Sequence, residues 1–306
     1  MRNTNNAIPD TFDIKKRGLL SESTRENMKI YWYKFSRNPF SLLGLGLVAV
    51  SIFFAIFAPY IVPLPEHIYE FVDFSNAKLP PCSDYWFGTD IYGRDIFSRL
   101  IYCFRGAILM AIVVLGISVP FGAGLGLIAG YYHGTWVDTL IMRTTDVFLA
   151  IPALILALAV ASILEPNLTS SMIAATVYWW TWYSRMAYGS ASSISKKYFV
   201  KNAEIIGASK LHILTKEILP NALSPIFTKM ALDVGWVVLL GATLSFAGLG
   251  EQPPIPAFGT MINEGSKNIP DLWWVLLFPA LGVVFIILGF NLLGDGIRDI
   301  MDRGRG

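Results

Sequence analysis

A chain of 306 residues that is 54% hydrophobic and only 15% charged, with a mean hydropathy of +0.52, falls well short of the charged content of soluble domains and reads as a membrane protein. A formal net charge of +2 with no long block of Lys or Arg excludes a nucleic-acid binder. Two isolated cysteines, Cys82 and Cys103, and three scattered histidines, His67, His133 and His212, offer no ligand spacing, so neither a metal site nor a redox pair is expected.

The first 40 residues form a polar, basic leader, and the first apolar run begins only near residue 41, so no signal peptide is expected and the leader stays attached as a cytoplasmic tail. Six stretches then reach the roughly 20 apolar residues a bilayer core demands: 41–62, 106–131, 137–164, 168–188, 223–248 and 271–294. The leader, the 185–229 segment and the tail beyond Gly294 carry eighteen of the twenty-four Lys and Arg residues. That asymmetry predicts a cytoplasmic location for these three segments and both termini, with the 63–100 and 249–271 loops outside.

Between the first two spans, the turn in "FGTDIYGRDIFSRLIY" (87–102) is expected to be capped by Thr89 or Asp90. The stripe Phe97, Leu100, Ile101 and Phe104 follows as an interfacial helix within the 63–102 loop. In the second span, Gly122, Gly126 and Gly130 predict a close helix-packing face. Arg143 and Asp146, three apart on the third span, are expected to pair, either holding the bundle together or serving a pathway. Pro120, Pro152 and Pro279 permit bends inside spans. Trp179, Trp180, Trp182 and Tyr183 lie deeper than an interfacial belt and can instead serve packing, whereas Trp273 and Trp274 fit an outer belt. Asp233, with no evident local partner, is expected to contact another subunit or line water. "NLLGDGIRD" reads as a span ending at Gly294 or Gly296, with Arg298 at the interface and a tail over 297–306.

The 199–221 stretch, "FVKNAEIIGASKLHILTKEILPN", differs from its apolar neighbours. On one helix it puts Val200, Ala203, Gly207, Leu211, Leu214 and Ile218 on a narrow inner stripe, with Asn202, Ile205, Ile206, Ser209, His212, Ile213 and Lys216 opposite. Isoleucines among polar groups on that second face suit a protein partner. Alternatively, Gly207-Ala208-Ser209 breaks the helix in two, with Ser209 capping the second part; Pro220 is expected to stop it. No zinc-protease, nucleophile-elbow or phosphate-loop motif occurs, nor any Gly-Lys dipeptide, so no catalytic residue is assigned and any ATP must be bound by another subunit.

"NAEIIGASKLHILTKEILPNALSPI" resembles the EAA signature of membrane subunits of bacterial ATP-binding-cassette (ABC) importers at Ala203, Gly207, Leu219, Pro220 and Asn221. It departs from that signature at Lys201, Asn202 and Glu217. With 87–102, "MRTTDVFLAIP", "SFAGLGEQPPIPAFGTMI" and "WWVLLFPALGVVFIILGFNLLGDGIRD", it makes five segments in family order that resemble the C-type permease subunit of the dipeptide, oligopeptide and nickel importers.

That resemblance implies an all-α integral membrane protein with the type I importer permease fold: an added first span, then a five-helix domain over 103–296 containing a cytoplasmic coupling loop, 194–221. It implies docking of the ATPases on Val200, Lys201, Asn202, Ala203, Glu204, Ile205, Ile206, Gly207, Ala208, Ser209, His212 and Ile213. It further implies a similar permease subunit as heterodimer partner, two ATP-binding subunits that hold ATP and Mg, an extracytoplasmic binding protein, and a location in the bacterial or archaeal cytoplasmic membrane. Peptides are the implied cargo, with nickel or oligosaccharides as alternatives. An ion-gradient-driven transporter is the rival class, which would want more intramembrane charges than Arg143, Asp146 and Asp233 and an internal repeat.

Overall fold

The computed structural model describes Lys29, Trp32, Tyr33 and residues 35–302; most of the leader and the last four residues of the tail lie outside the described residues. Those residues are helical, with a single isolated bridge, Thr89 to Asp95, and no strand among them. We number the helices α1 (Pro39–Ile61), α2 (Ile96–Tyr131), α3 (Trp136–Leu149), α4 (Ala153–Ala161), α5 (Leu168–Ile194), α6 (Tyr198–Ile205), α7 (Lys210–Phe246), α8 (Phe258–Ser266) and α9 (Trp273–Asp302).

Their starts follow from short polar side chains placed where helical N–H groups lack partners. Asn38 accepts from the Phe40 N–H at 3.0 Å before Pro39, Asp95 from Ser98 at 2.8 Å, and Asn167 from Ser170 at 2.8 Å. Asp90 caps the turn before α2 as expected, accepting the Tyr92 N–H at 2.8 Å and the Arg94 N–H at 3.0 Å, while Asp95 caps α2 itself; the Phe97 to Phe104 stripe belongs to the long α2 rather than to a separate interfacial helix.

α1, α2, α7 and α9 are long and apolar enough to cross a membrane, and α3 with α4 adds a fifth if the bent pair is one span. The pair bends by 84° at Ala150-Ile151-Pro152, where proline removes a helical donor. α5 is long enough at 27 residues but more polar, because Ser170, Ser171, Thr181 and Ser184 are buried inside the bundle. Pro120 and Pro279, by contrast, sit within helices that continue past them. Gly294 and Gly296 do not end α9: the first packs on Leu232 and the second on Ser41 of α1.

The glycine face of α2 forms as expected. A Cβ at Gly122 would collide with the Trp180 carbonyl of α5, one at Gly126 with that of Ser184, and one at Gly130 with Ala191 and the Tyr188 carbonyl. Backbone thus meets backbone along more than two turns, the arrangement small residues allow when lipid offers no hydrophobic drive to associate. Around this seam the buried core collects Val114, Tyr183, Val200, Ile213, Ile218, Val237, Leu244 and Ile286. Trp179 and Tyr183 join it, so these two serve packing, whereas Trp182 is 47% exposed.

At the α2 start, "FGTDIYGRD" ties distant segments together. Asp90 takes Arg94 Nε at 2.6 Å, Arg94 reaches Glu264 of α8 at 3.3 Å, and Arg99 donates to the Pro254 carbonyl at 3.3 Å. These charges are buried, which costs several kcal/mol per ion unless they are paired. Burial pushes the Glu264 carboxyl above its usual range, opposed by the two arginines. Trp274 is buried and donates its indole N–H to the Thr89 carbonyl at 3.1 Å, so it locks α9 to this turn instead of sitting in an outer belt; Trp273 alone is half exposed.

His67 accepts the Asp95 backbone N–H at Nδ1, 2.9 Å away, which demands a neutral ring, and burial lowers its pKa. Because the folded value lies below the unfolded one, near 6.5, the stabilisation is complete above that pH and declines as pH falls through it. The amide protection of the 62–95 segment, corrected for the intrinsic pH dependence of exchange, is therefore expected to fall between pH 7 and about 5, and His67→Gln to flatten that fall. Gly126→Val is expected to destabilise the detergent-solubilised protein by roughly 1–3 kcal/mol through overpacking, read as a lower thermal midpoint, while Gly124→Val, which faces open space, has little effect.

Candidate functional site

The segment between α5 and α7 is built as two short pieces around one turn. α6 buries Val200 and Ala203 and leaves Lys201 and Asn202 in solvent. It ends in a Schellman turn: the Ala208 N–H reaches the Ala203 carbonyl at 3.0 Å and the Gly207 N–H that of Glu204 at 3.1 Å, with Gly207 at φ +84°. Ser209 then caps α7, accepting from the His212 N–H at 3.3 Å. The helix is therefore broken at Gly207, the second of the two arrangements the sequence allowed.

That break changes which residues face outward. Ile205 and Ile206, 82% and 83% exposed, lie outside as expected. Leu211 moves from the expected inner stripe to 71% exposure, and Ile213 moves from the outer face to the core at 1%. The reason is the rotation introduced by the left-handed residue, after which a single helical wheel no longer applies. Tyr198, Ile205, Ile206 and Leu211 form an exposed apolar platform around Gly207, with exposed Ser209 and His212 beside it.

Pro220 does not stop the helix. Residues Ile213–Ile218 form a π turn in which the Leu219 N–H bonds the Leu214 carbonyl, and Asn221 Nδ2 donates to the Glu217 carbonyl at 2.7 Å. The wider turn accommodates a ring that brings no N–H, and the helix runs from Lys210 to Phe246 without interruption.

Two contacts, through Tyr131 and Tyr132, fasten the platform to the bundle, and a pair within α6 orients one of them. The Tyr131 hydroxyl at the end of α2 donates to Glu204 Oε1 at 3.2 Å, and the Lys201 ammonium donates to Glu204 Oε2 at 2.9 Å. The Lys201 hydrogen bond chiefly holds the Glu204 carboxyl below its usual range. The Lys210 ammonium lies 5.4 Å above the Tyr132 ring.

The charges expected inside the membrane are arranged differently from the expectation. Asp146 pairs with Arg185 of α5, not with Arg143, which is exposed and makes no ion pair among the described residues. Spacing on one helix permits a pair, but a partner on the packed neighbour competes for the same carboxylate. Asp233 is buried and has partners within this chain: Lys229, one turn earlier, and the Tyr183 hydroxyl at 2.9 Å. Lys229 was legible at i, i+4; Tyr183 required the fold. Trp182 and Trp236 flank this pair at the edge of a small cavity.

Residues 122–306 match the family model for the binding-protein-dependent transport system inner membrane component. The chain belongs to this family. Residues 27–81 also match the model described as the N-terminal transmembrane domain of oligopeptide transport permease C. The permease is 36% identical over 286 residues to a probable D,D-dipeptide transport system permease protein of Escherichia coli K12, covering 93% of this chain and 94% of that one. It is 36% identical over 269 residues to a dipeptide transport system permease protein of Alkalihalophilus pseudofirmus, covering 88% and 87%. To a glutathione transport system permease protein of Escherichia coli O6:K15:H31 it is 37% identical over 272 residues, 89% of each. As an ABC importer permease subunit, it presents at Ile205 to Leu211 an apolar surface of the kind that a partner protein covers.

Removing Asp233 strands the Lys229 ammonium beside a buried site. Asp233→Leu is expected to cost about 3 kcal/mol in thermal stability, and the double variant Asp233→Leu/Lys229→Met to recover most of that loss.

Proposed function

We propose that this subunit forms half of the translocation pathway of an importer of di- and oligopeptides and receives its drive from two cytoplasmic ATPase subunits docked on the 200–213 segment. The observation that carries the reading is the rigid platform: Ile205, Ile206 and Leu211 face outward from a capped turn whose other side is anchored to α2 and continues into α7. Peptide cargo is favoured by the names of the relatives, which are dipeptide and glutathione permeases.

In this reading six segments cross the membrane: α1, α2, the bent α3 and α4 together, α5, α7 and α9. α5 is counted because its polar side chains are covered by α2 and its neighbours instead of facing lipid. The basic 185–229 segment and both termini lie in the cytoplasm, the side favoured for Lys and Arg. A second, similar permease subunit completes the pathway as a heterodimer, and an extracytoplasmic binding protein delivers the cargo. ATP and Mg belong to the ATPases, since this chain has no phosphate loop.

Mechanically, closure of the ATPases displaces the platform. α7 begins three residues after Gly207 and has no hinge at Pro220, so the displacement passes directly into the bundle. The pathway then alternates between inward-open and outward-open states whose balance nucleotide shifts.

The double variant Ile205→Glu/Ile206→Glu removes the centre of the apolar platform. A loss of about 2 kcal/mol, typical of an interface hot spot, corresponds to roughly thirty-fold weaker ATPase recruitment, measured by co-purification from detergent. Gly207→Asp, which strains the left-handed turn and adds a charge, is expected to abolish coupling while the spans still insert. Normal ATPase recruitment and ligand-stimulated ATP hydrolysis in both variants would refute the docking role.

A further inference from the structure

At the end of the bundle opposite the platform, α2, α5, α7 and the 251–259 loop line an open cavity of about 200 Å³. Two of the groups that line it lack any partner among the described residues, and a third lacks a counter-ion. Arg105, an exposed residue of α2, makes no ion pair or hydrogen bond among the described residues. Glu251 has no cation within ion-pair distance among them. Ser171 of α5 is 1% exposed, and its hydroxyl is buried without any hydrogen-bond partner.

Buried polar groups are nearly always paired, so an orphaned hydroxyl in a cavity wall is a vacancy for a polar ligand. Arg105 lies in the third turn of α2, near the helix end, where its guanidinium is exposed at the cavity rim and free to meet a ligand. A cation, a carboxylate and a free hydroxyl around one cavity complement a ligand that carries both a carboxylate and an ammonium. The rest of the wall is adaptable: Gly241 leaves room for the Met110 thioether, which a methyl group at that position would strike. The volume lies below the 300–1,000 Å³ of sites for drug-sized ligands, which suits one or two residues and excludes a long peptide lying wholly inside. Burial raises the Glu251 carboxyl above its usual range, the penalty a ligand ammonium would relieve.

We propose that this cavity is a binding site for the charged ends of a short zwitterionic peptide, with Arg105 taking the carboxylate, Glu251 the ammonium and Ser171 a peptide polar group. The proposal rests on the peptide reading above and deepens it by assigning recognition to the permease itself, apart from the binding protein.

The test uses the assembled importer complex in nanodiscs without its binding protein, with Ala-Ala, Ala-Ala amide and N-acetyl-Ala-Ala as probes followed by saturation-transfer NMR. Ala-Ala is expected to bind wild type more tightly than either blocked form. Arg105→Gln and Glu251→Gln are each expected to weaken Ala-Ala by about ten-fold, the scale of a lost charge-assisted hydrogen bond. Arg105→Gln leaves Ala-Ala amide unaffected, and Glu251→Gln leaves N-acetyl-Ala-Ala unaffected. Arg105→Lys retains most of the affinity, which separates loss of charge from loss of fold. Unchanged Ala-Ala affinity in both Gln variants, or blocked peptides binding wild type as well as Ala-Ala, overturns the site while leaving peptide import intact. A panel of dipeptides that the complete importer, binding protein included, fails to take up in proteoliposomes overturns both.

Discussion

The backbone contact between α2 and α5 is the constraint on which the other features depend. Gly122, Gly126 and Gly130 let α2 lie directly on the carbonyls of Trp180, Ser184 and Tyr188, and no side chain could be inserted without parting the helices. With that distance set, the serines and threonines of α5 are covered and a rather polar helix becomes tolerable inside an apolar bundle. The same seam fixes both ends of α2. One end carries Arg94 and Arg99 into the buried charge cluster with Asp90 and Glu264, and the other presents Tyr131 and Tyr132 to the 204–210 turn.

The platform owes its rigidity to backbone chemistry more than to burial. A Schellman turn satisfies the last carbonyls of α6, Ser209 satisfies the first donors of α7, and the π turn absorbs Pro220 without a break. An eight-residue helix with only Val200 and Ala203 buried would be marginal by itself. Held by Tyr131 and Lys210, it can leave Ile205 and Ile206 exposed without the segment collapsing onto them. Large exposed isoleucines on a firmly held turn are what distinguishes a docking surface from a frayed loop.

Much of this was legible in the sequence where one local pattern decides the outcome. The glycine spacing in α2, the break at Pro152, the cap at Ser209 and the ordered family segments each express a short-range rule. The helical wheel failed beyond Gly207 because one positive φ resets the phase, which put Leu211 outside and Ile213 inside. The Arg143 and Asp146 pairing failed because Arg185, far from Asp146 in the chain, lies directly across a helix contact. Trp274 looked like a belt residue, and only the folded turn at Thr89 supplies the acceptor that draws it inward. Arg105 offered a usable signal, a cation in an apolar stretch of α2, but its significance depends on Glu251 and Ser171, which come from other elements.

α7 has a further consequence. At 37 residues it is about 55 Å long, and its two ends belong to different sites: Leu211 to the platform, and Gly241 and Ser245 to the wall of the cavity at the opposite end. Two ligands that both bias the position of one stiff rod cannot bind independently, and thermodynamics makes their influence mutual. A nucleotide state that reshapes the cavity must therefore be favoured or disfavoured, to the same degree, by whatever occupies that cavity. If the ATPases dock at the platform and cargo enters the cavity, as proposed, each influences the other through this one helix.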